Sequence, residues 1–262
     1  MNSINNVERL SQRLRDGNVC VGMSVQTTDP LVSEVAAEAG NDFIWIEMEH
    51  SHLDLPAVMG HIMAVRGTQT APVVRVPWND AVLIKPILDM APAGIVIPMI
   101  RSADEALQAV RACRYPPEGI RGFGPIRNMY NSASMSDYLE SAASQILVFV
   151  QIEHIDAVHN LDAILATPGL DGIVLGRNDL SGSMGKLGQH SDPELIQTID
   201  TVLAKASQSE LIVGTSIGYN SETVQDWYAK GVRWFALDEE LGHIFNGAKA
   251  VADAVHALDI AE

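Results

Sequence analysis

The chain has 262 residues, a length that suits one α/β barrel and buries a large core without disulfide or metal staples. Its formal net charge is −16, with no block of Lys and Arg to offset it, which argues against a nucleic-acid partner and for a soluble, acidic surface. No 18-residue run is free of charge, no apolar segment follows Arg9, Arg13 and Arg15 as in a secretory signal, and Cys20 and Cys113 sit in apolar surroundings, so the expectation is a cytoplasmic protein with two buried thiols.

From residue 19 onward, short β-branched runs alternate with stretches of helical period. VCVGMSV (19–25) precedes PLVSEVAAEAG, and FIWIEME (43–49) precedes LPAVMGHIMAVRG. PVVRVP (72–77) leads into AVLIKPILDMA, where Pro86 calls for a kink or a place near the helix start. GIVIPMI (94–100) leads into SADEALQAVRACR, which opens with Ser102 and Glu105 in capping-box spacing. A long connection, 115–144, separates this helix from ILVFVQIE (146–153), and HIDAVHNLDAILAT follows. GIVLGR (172–177), LIVGTSI (211–217) and RWFALD (233–238) are each followed by a helical stretch, the last over 240–260. The strand candidates are apolar throughout rather than alternating, as strands buried on both faces are. Strict alternation of strand and helix predicts a single (β/α)8 TIM barrel over 1–262.

In such a barrel the active site lies at the C-terminal ends of the strands. Those ends carry Glu47, Glu49 and His50, then Arg75, then Gln151 and Glu153, then Arg177, Asn178 and Asp179, while the N-terminal ends are mostly apolar. Asp89, in the helix after the third strand, is expected within reach of the same rim. Glu153 and Asp179 can hold a hard divalent cation and leave positions for water and substrate oxygens; as an alternative, each caps the helix that follows it. His50 beside acidic groups reads as a general base or as a surface histidine. Arg75 inside an apolar strand reads as the partner of a developing oxyanion, as an ion pair with Glu47, or as both. Lys85, Lys186, Lys205, Lys230 and Lys249 all fall in helices or outer loops, so Schiff-base chemistry lacks a lysine in a strand. Arg121, Arg127 and Asn128 in the 115–144 connection read as contacts to a distal carboxylate or hydroxyls of a substrate's tail, since loops of that length are commonly functional, or as solvated loop residues, the commoner case.

WIEMEH (45–50), APVVRVPWND with LIKPILD (71–89), RYPPEGIRG (114–122), VQIE (150–153) and DGIVLGRNDLS (171–181) together resemble the HpcH/HpaI aldolases, class II pyruvate aldolases of the phosphoenolpyruvate/pyruvate superfamily. The chain is similar in particular to the 4-hydroxy-2-oxoheptanedioate and 2-dehydro-3-deoxyglucarate aldolases. That resemblance implies a divalent ion (Mg²⁺, Mn²⁺ or Co²⁺) on Glu153 and Asp179, and His50 as base through a water. It implies Asp89 as the carboxylate that raises the basicity of His50, and Arg75 as the group that stabilises the enolate. Gln151 and Asn178 are the implied substrate contacts. The implied reaction is cleavage of a 4-hydroxy-2-oxo acid to pyruvate, or a related 2-oxo acid such as hydroxypyruvate, and an aldehyde. The implied assembly is a hexamer, a trimer of dimers that exchange the C-terminal helix, in which Asp89 reaches a site from a neighbouring chain. A 2-oxo acid decarboxylase and a CoA-ester lyase of the citrate-lyase β kind share such an enolate site, and a barrel that binds without turnover is the third reading. The chain departs from the family at Glu47 and Met48, where the usual motif is D-G-E-H, and at Arg177, where the usual residue is proline; substrate choice is where those changes are expected to act.

Overall fold

The computed structural model describes residues 4–258. Eight parallel strands close into a barrel in chain order, β8 pairing back onto β1. They are β1 (Cys20–Val25), β2 (Phe43–Glu47), β3 (Ala71–Arg75), β4 (Gly94–Ile97), β5 (Leu147–Ile152), β6 (Gly172–Leu175), β7 (Ile212–Ile217) and β8 (Trp234–Glu239). The helices that run back outside them are α2 (Leu31–Glu38), α3 (Leu55–Ala64), α4 (Ala81–Asp89), α5 (Ala103–Ala112), α7 (Ile155–His159) with α8 (Leu161–Leu165), α10 (Pro193–Ala206), α11 (Ser221–Ala229) and α12 (Glu240–His256). Among the described residues three further α-helices stand outside that rhythm, α1 (Val7–Arg15), α6 (Met135–Ser141) and α9 (Arg177–Ser183), with two short 3-10 turns at Asn128–Asn131 and Ala142–Gln145. Ser102 caps α5, accepting from the Glu105 amide at 3.2 Å, while Pro86 is accommodated inside α4. The helix expected over 154–167 is broken at Asn160.

Alternation along each strand divides the apolar residues into two bodies. Ile44, Ile46, Val74, Ile95, Ile97, Val148 and Val150 face outward and pack beneath the helices. Phe43, Trp45, Val73, Phe149, Val174 and Trp234 face inward and fill the lower barrel. Trp234 is the centre of that filling. Its ring lies 5.0 Å from Phe149 at an interplanar angle of 1°, 4.6 Å from Phe43 and 5.3 Å from Trp45. Glycines in the strands make the room: a Cβ on Gly214 would lie 2.3 Å from the Trp234 ring, and one on Gly22 would lie 2.4 Å from Phe43.

Below this aromatic layer, α1 stops the N-terminal mouth with Val7, Leu10 and Leu14. Nothing in the sequence reading assigned an element there, because the polar residues of 1–18 mask a short apolar stripe at helical spacing. The plug is tied to the segments that enter the strands: Asn5 Nδ2 donates to Pro92 O at 2.7 Å, Asn6 Nδ2 to Thr70 O at 2.9 Å, and Arg9 pairs with Asp42 at 3.2 Å.

The 115–144 connection joins the end of α5 to the start of β5 and therefore lies at this same N-terminal end. Arg127 donates to Met90 O at 2.7 Å, Asn128 to Leu88 O at 3.0 Å, and Arg121 pairs with Asp89 at 2.8 Å. These side chains fasten the α4–β4 junction. The substrate-reading role expected of them is not available within one protomer, since the connection sits at the end of the barrel opposite the strand C-termini.

The aromatic filling generates a test. Gly214→Ala forces a methyl against a ring that neighbouring rings hold in place, and is expected to lower the unfolding free energy by about 1–3 kcal/mol in urea titrations. Gly247→Ala on α12, where nothing lies within 4 Å, serves as the control and is expected to be neutral or stabilising by about 0.5–1 kcal/mol. A wild-type midpoint for Gly214→Ala would refute the packing described.

Candidate active site

The inward-facing positions change character toward the strand C-termini. Above Phe43 and Trp45 the next inward residue of β2 is Glu47; above Val73 it is Arg75; above Phe149 come Gln151 and Glu153. Ser24, Ser216 and Asp238 occupy the same level on β1, β7 and β8. With His50, Arg177, Asn178 and Asp179 from the loops above, they line a cavity of about 560 Å³ open at the C-terminal mouth.

Glu47, 2% exposed, organises this level. Its Oε2 accepts from Trp45 Nε1 at 2.8 Å and from Arg75 Nε at 2.6 Å, with Arg75 NH2 also at 2.6 Å. Its Oε1 accepts the backbone N–H groups of Glu49 at 2.7 Å and His50 at 2.9 Å. Glu47 and Arg75 are register partners on adjacent strands, so the convergence of two Arg75 nitrogens on one Glu47 oxygen follows from the sheet itself. The ion pair foreseen for Arg75 is therefore present. Arg75 NH1 reaches beyond it, 3.2 Å from Gln151 Oε1 and 3.0 Å from Glu49 Oε2, and the guanidinium lies 5.3 Å from the Trp45 ring centre.

Glu153 accepts from the Met99 N–H at 2.7 Å on one oxygen and from Gln151 Nε2 at 2.7 Å on the other. The space it occupies exists because residue 176 is glycine: a Cβ there would lie 2.5 Å from Glu153 Oε2. Burial, reinforced by the neighbouring charges of Glu49 and Asp179 and opposed by the Met99 N–H and Arg75, pushes the Glu153 carboxyl up to about 7. Burial also raises Glu49, against the pull of Arg75. Met99 and Asp238 both hold left-handed backbone (φ 57° each) at this rim, and Asp238 Oδ1 accepts the Tyr219 N–H at 2.9 Å.

Helix capping, the alternative for the two carboxylates, does not hold. The α7 cap is His154, whose side chain accepts from the Asp156 amide, and α9 begins from Gly176 with no side-chain cap bond, Asp179 lying inside its first turn. Glu153 and Asp179 both line the cavity. Among the described residues no group of three or more His, Cys, Asp and Glu is placed to hold a metal, so any ion here relies on these two carboxylates plus water and ligand. The His50 ring is 60% exposed and stands over the cavity, with Nε2 3.8 Å from Glu49 Oε2. Gln151 and Asn178 line the cavity as well.

Asp89 is not at this rim. It ends α4, at the N-terminal end of the barrel, where Arg121 holds it. The expectation assumed that any residue of the helix after β3 is near the mouth, but that helix runs back down and only its first turn is. Conversely, Ser24, Ser216 and Asp238 were passed over as site residues, and Glu49, named at the end of its strand, was given no role. The signal that finds them is the inward parity set by Phe43, Trp45 and Glu47 and by Trp234 and Ala236.

A 5-keto-4-deoxy-D-glucarate aldolase of Salmonella arizonae is 35% identical over 90% of this chain and 91% of its own length. A hydroxypyruvate/pyruvate aldolase of Roseovarius nubinhibens is 35% identical over 86% of this chain and 87% of its own. Among solved structures, an HpcH/HpaI aldolase/citrate lyase family protein from Burkholderia cenocepacia superposes with a TM-score of 0.87 at 29% identity, covering 95% of this chain and 99% of that one. The citrate synthase SbnG superposes with a TM-score of 0.83 at 29% identity, covering 94% and 97%. The family model for HpcH/HpaI aldolase/citrate lyase matches residues 21–246, and the chain belongs to that family of carbon–carbon lyases.

Proposed function

We propose that the protein is a class II aldolase that reversibly cleaves a 4-hydroxy-2-oxo acid into pyruvate, or a related 2-oxo acid such as hydroxypyruvate, and an aldehyde. The observation that carries this reading is the convergence of Arg75, Gln151, Glu153, Asp179 and His50 on one open cavity. The names of the relatives, a glucarate-derived keto acid aldolase and hydroxypyruvate/pyruvate aldolases, support it.

Glu153 and Asp179 fit a hard divalent cation such as Mg²⁺, Mn²⁺ or Co²⁺. The donors are oxygens, and the charges of Glu49 and Asp179 crowd Glu153 with more negative charge than Arg75 relieves. When bound, such an ion supplies Lewis-acid polarisation of the 2-oxo acid's oxygens. The protein's own groups supply the rest. Arg75, oriented by Glu47, presents NH1 toward Gln151 and the cavity, where negative charge grows on the keto oxygen as the C3–C4 bond breaks. His50, anchored by its backbone to Glu47 and exposed at the ring, takes the proton of the 4-hydroxyl in cleavage and returns it in addition. Gln151 and Asn178 contact the acid. A second reading, a citrate-type or oxaloacetate-cleaving reaction through the same enolate, has the likeness to SbnG in its favour; turnover of oxaloacetate without any pyruvate–aldehyde condensation would select it.

A homo-oligomer that exchanges the C-terminal helix is part of this proposal. Ile244, Phe245, Val251 and Val255 of α12 are exposed, and Glu240 is the buried residue of that helix. In such an assembly Asp89 would act on a neighbouring copy's site.

In excess EDTA, turnover of pyruvate with an aldehyde panel is expected to vanish and to return with Mg²⁺, Mn²⁺ or Co²⁺; full activity in chelator removes the ion from the reading. His50→Ala is expected to lower kcat by about 10²–10⁴-fold, and near-normal turnover would remove His50 as the base. The elevated Glu153 carboxyl gives a stability test. A carboxyl near 7 in the fold and about 4.3 when unfolded penalises the folded state increasingly as pH rises between those values, and constantly above them. In chelator, Glu153→Gln is therefore expected to melt about 5 °C or more above the wild type at pH 8, an advantage that shrinks toward pH 4.5. Saturating Mn²⁺ reverses the order at pH 8, because only the wild type gains binding energy. Equal melting temperatures in chelator across that range would contradict the assigned burial of this charge.

A further inference from the structure

One wall of the cavity is made by the turn that follows β1. Ser24 and Gln26 line it, facing Glu239 and Gly242 at the start of α12. Strand pairing ends at Val25, so no ladder holds the backbone of Gln26 and Thr27. Two side chains hold it instead. Glu240 Oε1 accepts the Gln26 N–H at 2.6 Å and the Thr27 N–H at 2.7 Å. From α3, His61 Nε2 donates to Thr27 O at 2.7 Å, while its Nδ1 accepts from Ser33 Oγ on α2 at 2.7 Å. The turn is therefore gripped by its N–H groups from α12 and by a carbonyl from α3. The Gln26 side chain completes the grip, donating to Glu239 Oε2 at 2.8 Å.

Glu240 is 3% exposed and, among the described residues, the one buried residue of α12. Its Oε2 is buried and takes no hydrogen bond. A carboxylate withdrawn from water with one oxygen unfilled costs the fold more than a tie of this kind returns, so stability does not account for it. What the contact does is fix the path of residues 26 and 27. That turn makes no hydrogen bond to Arg75, Gln151 or Glu153, whose bonds run among themselves and to Glu47, Glu49 and Met99. It also stands across the ring from them: Gln151 and Glu153 belong to β5, and β1 and β8 close the barrel on the opposite side. The groups suited to the enolate and this wall are separate parts of one cavity. We propose that Glu240 is a positioning residue, which by clamping the turn after β1 sets the wall against which the aldehyde lies when its carbonyl meets the enolate. This rests on the aldolase reading above, and it makes carbon–carbon bond formation depend on the seating of the first turn of α12.

Two measurements with saturating Mn²⁺ separate this role from a merely structural one. Exchange of the pyruvate methyl protons into deuterated buffer, followed by NMR, reads enolate formation alone. Condensation of pyruvate with glycolaldehyde reads enolate formation and bond formation together. In Glu240→Ala, kcat/KM for glycolaldehyde is expected to fall roughly ten- to hundredfold while exchange at saturating pyruvate stays within about threefold of wild type, as a small misplacement of one contact wall implies. Glu240→Gln keeps an oxygen for the two amides. It is expected to lie between Glu240→Ala and wild type in condensation, and to melt no lower than wild type because it removes a half-satisfied buried charge. An equal fall in both reactions overturns the assignment, and so does a Glu240→Gln melting point well below wild type. Wild-type exchange together with unchanged condensation in Glu240→Ala leaves the aldolase reading standing and removes Glu240; absence of exchange in the wild type with every divalent ion removes both.

Discussion

Trp45, Glu49, His50 and Arg75 all direct donors at the buried carboxylate of Glu47. Through Trp45 that carboxylate is joined to the aromatic filling of the barrel. Through Arg75 it is joined to β3, and through the amides of Glu49 and His50 to the turn that carries the proposed base. A buried charge is stable only when its acceptor sites are filled, and here every donor that fills them is also a part of the site or of its floor. The direction of Arg75 and the path of the His50 turn are consequences of one side chain being satisfied. Glu47 is thus the organiser of the mouth.

The division of labour along the barrel axis has a simple origin. Inward residues on each strand are apolar in the lower half, where Trp234 stacks on Phe149 and Phe43 and α1 closes the floor. The same parity carried upward brings Glu47, Arg75, Gln151 and Glu153 to the mouth. The lower half excludes water and holds the strands in place; the upper half can then keep carboxylates crowded together, with Glu153 raised to about 7, and hold left-handed backbone at Met99 and Asp238. Crowding of that kind is unfavourable in isolation and is what a cation bound there would relieve.

Much of this was legible in the amino-acid order. Strands buried on both faces read as unbroken apolar runs, so all eight were found close to their observed ends, and a guanidinium in PVVRVP stood out because an apolar strand has no other use for it. Three things were not read. The floor helix α1 carries its apolar stripe on three residues among many polar ones. Asp89 and the 115–144 connection were placed at the mouth because chain proximity to a strand was used where direction decides: a strand-to-helix link lies at the mouth and a helix-to-strand link at the floor. Asp238 was passed over, and Glu49 was named without a role, because polar residues at a strand end were read singly, without the parity that Phe43, Trp45 and Glu47 establish.

If Glu47 organises the site, its charge and reach must matter to the earliest chemical event rather than to folding alone. Pyruvate methyl proton exchange in Glu47→Gln, measured by NMR with saturating Mn²⁺ beside thermal unfolding of the same sample, examines that directly. Glutamine keeps the shape but cannot hold the guanidinium and both amides as an anion does. Exchange at least a hundredfold slower than wild type, in a protein that still unfolds cooperatively, is the expected result. Exchange at the wild-type rate in Glu47→Gln would contradict the account.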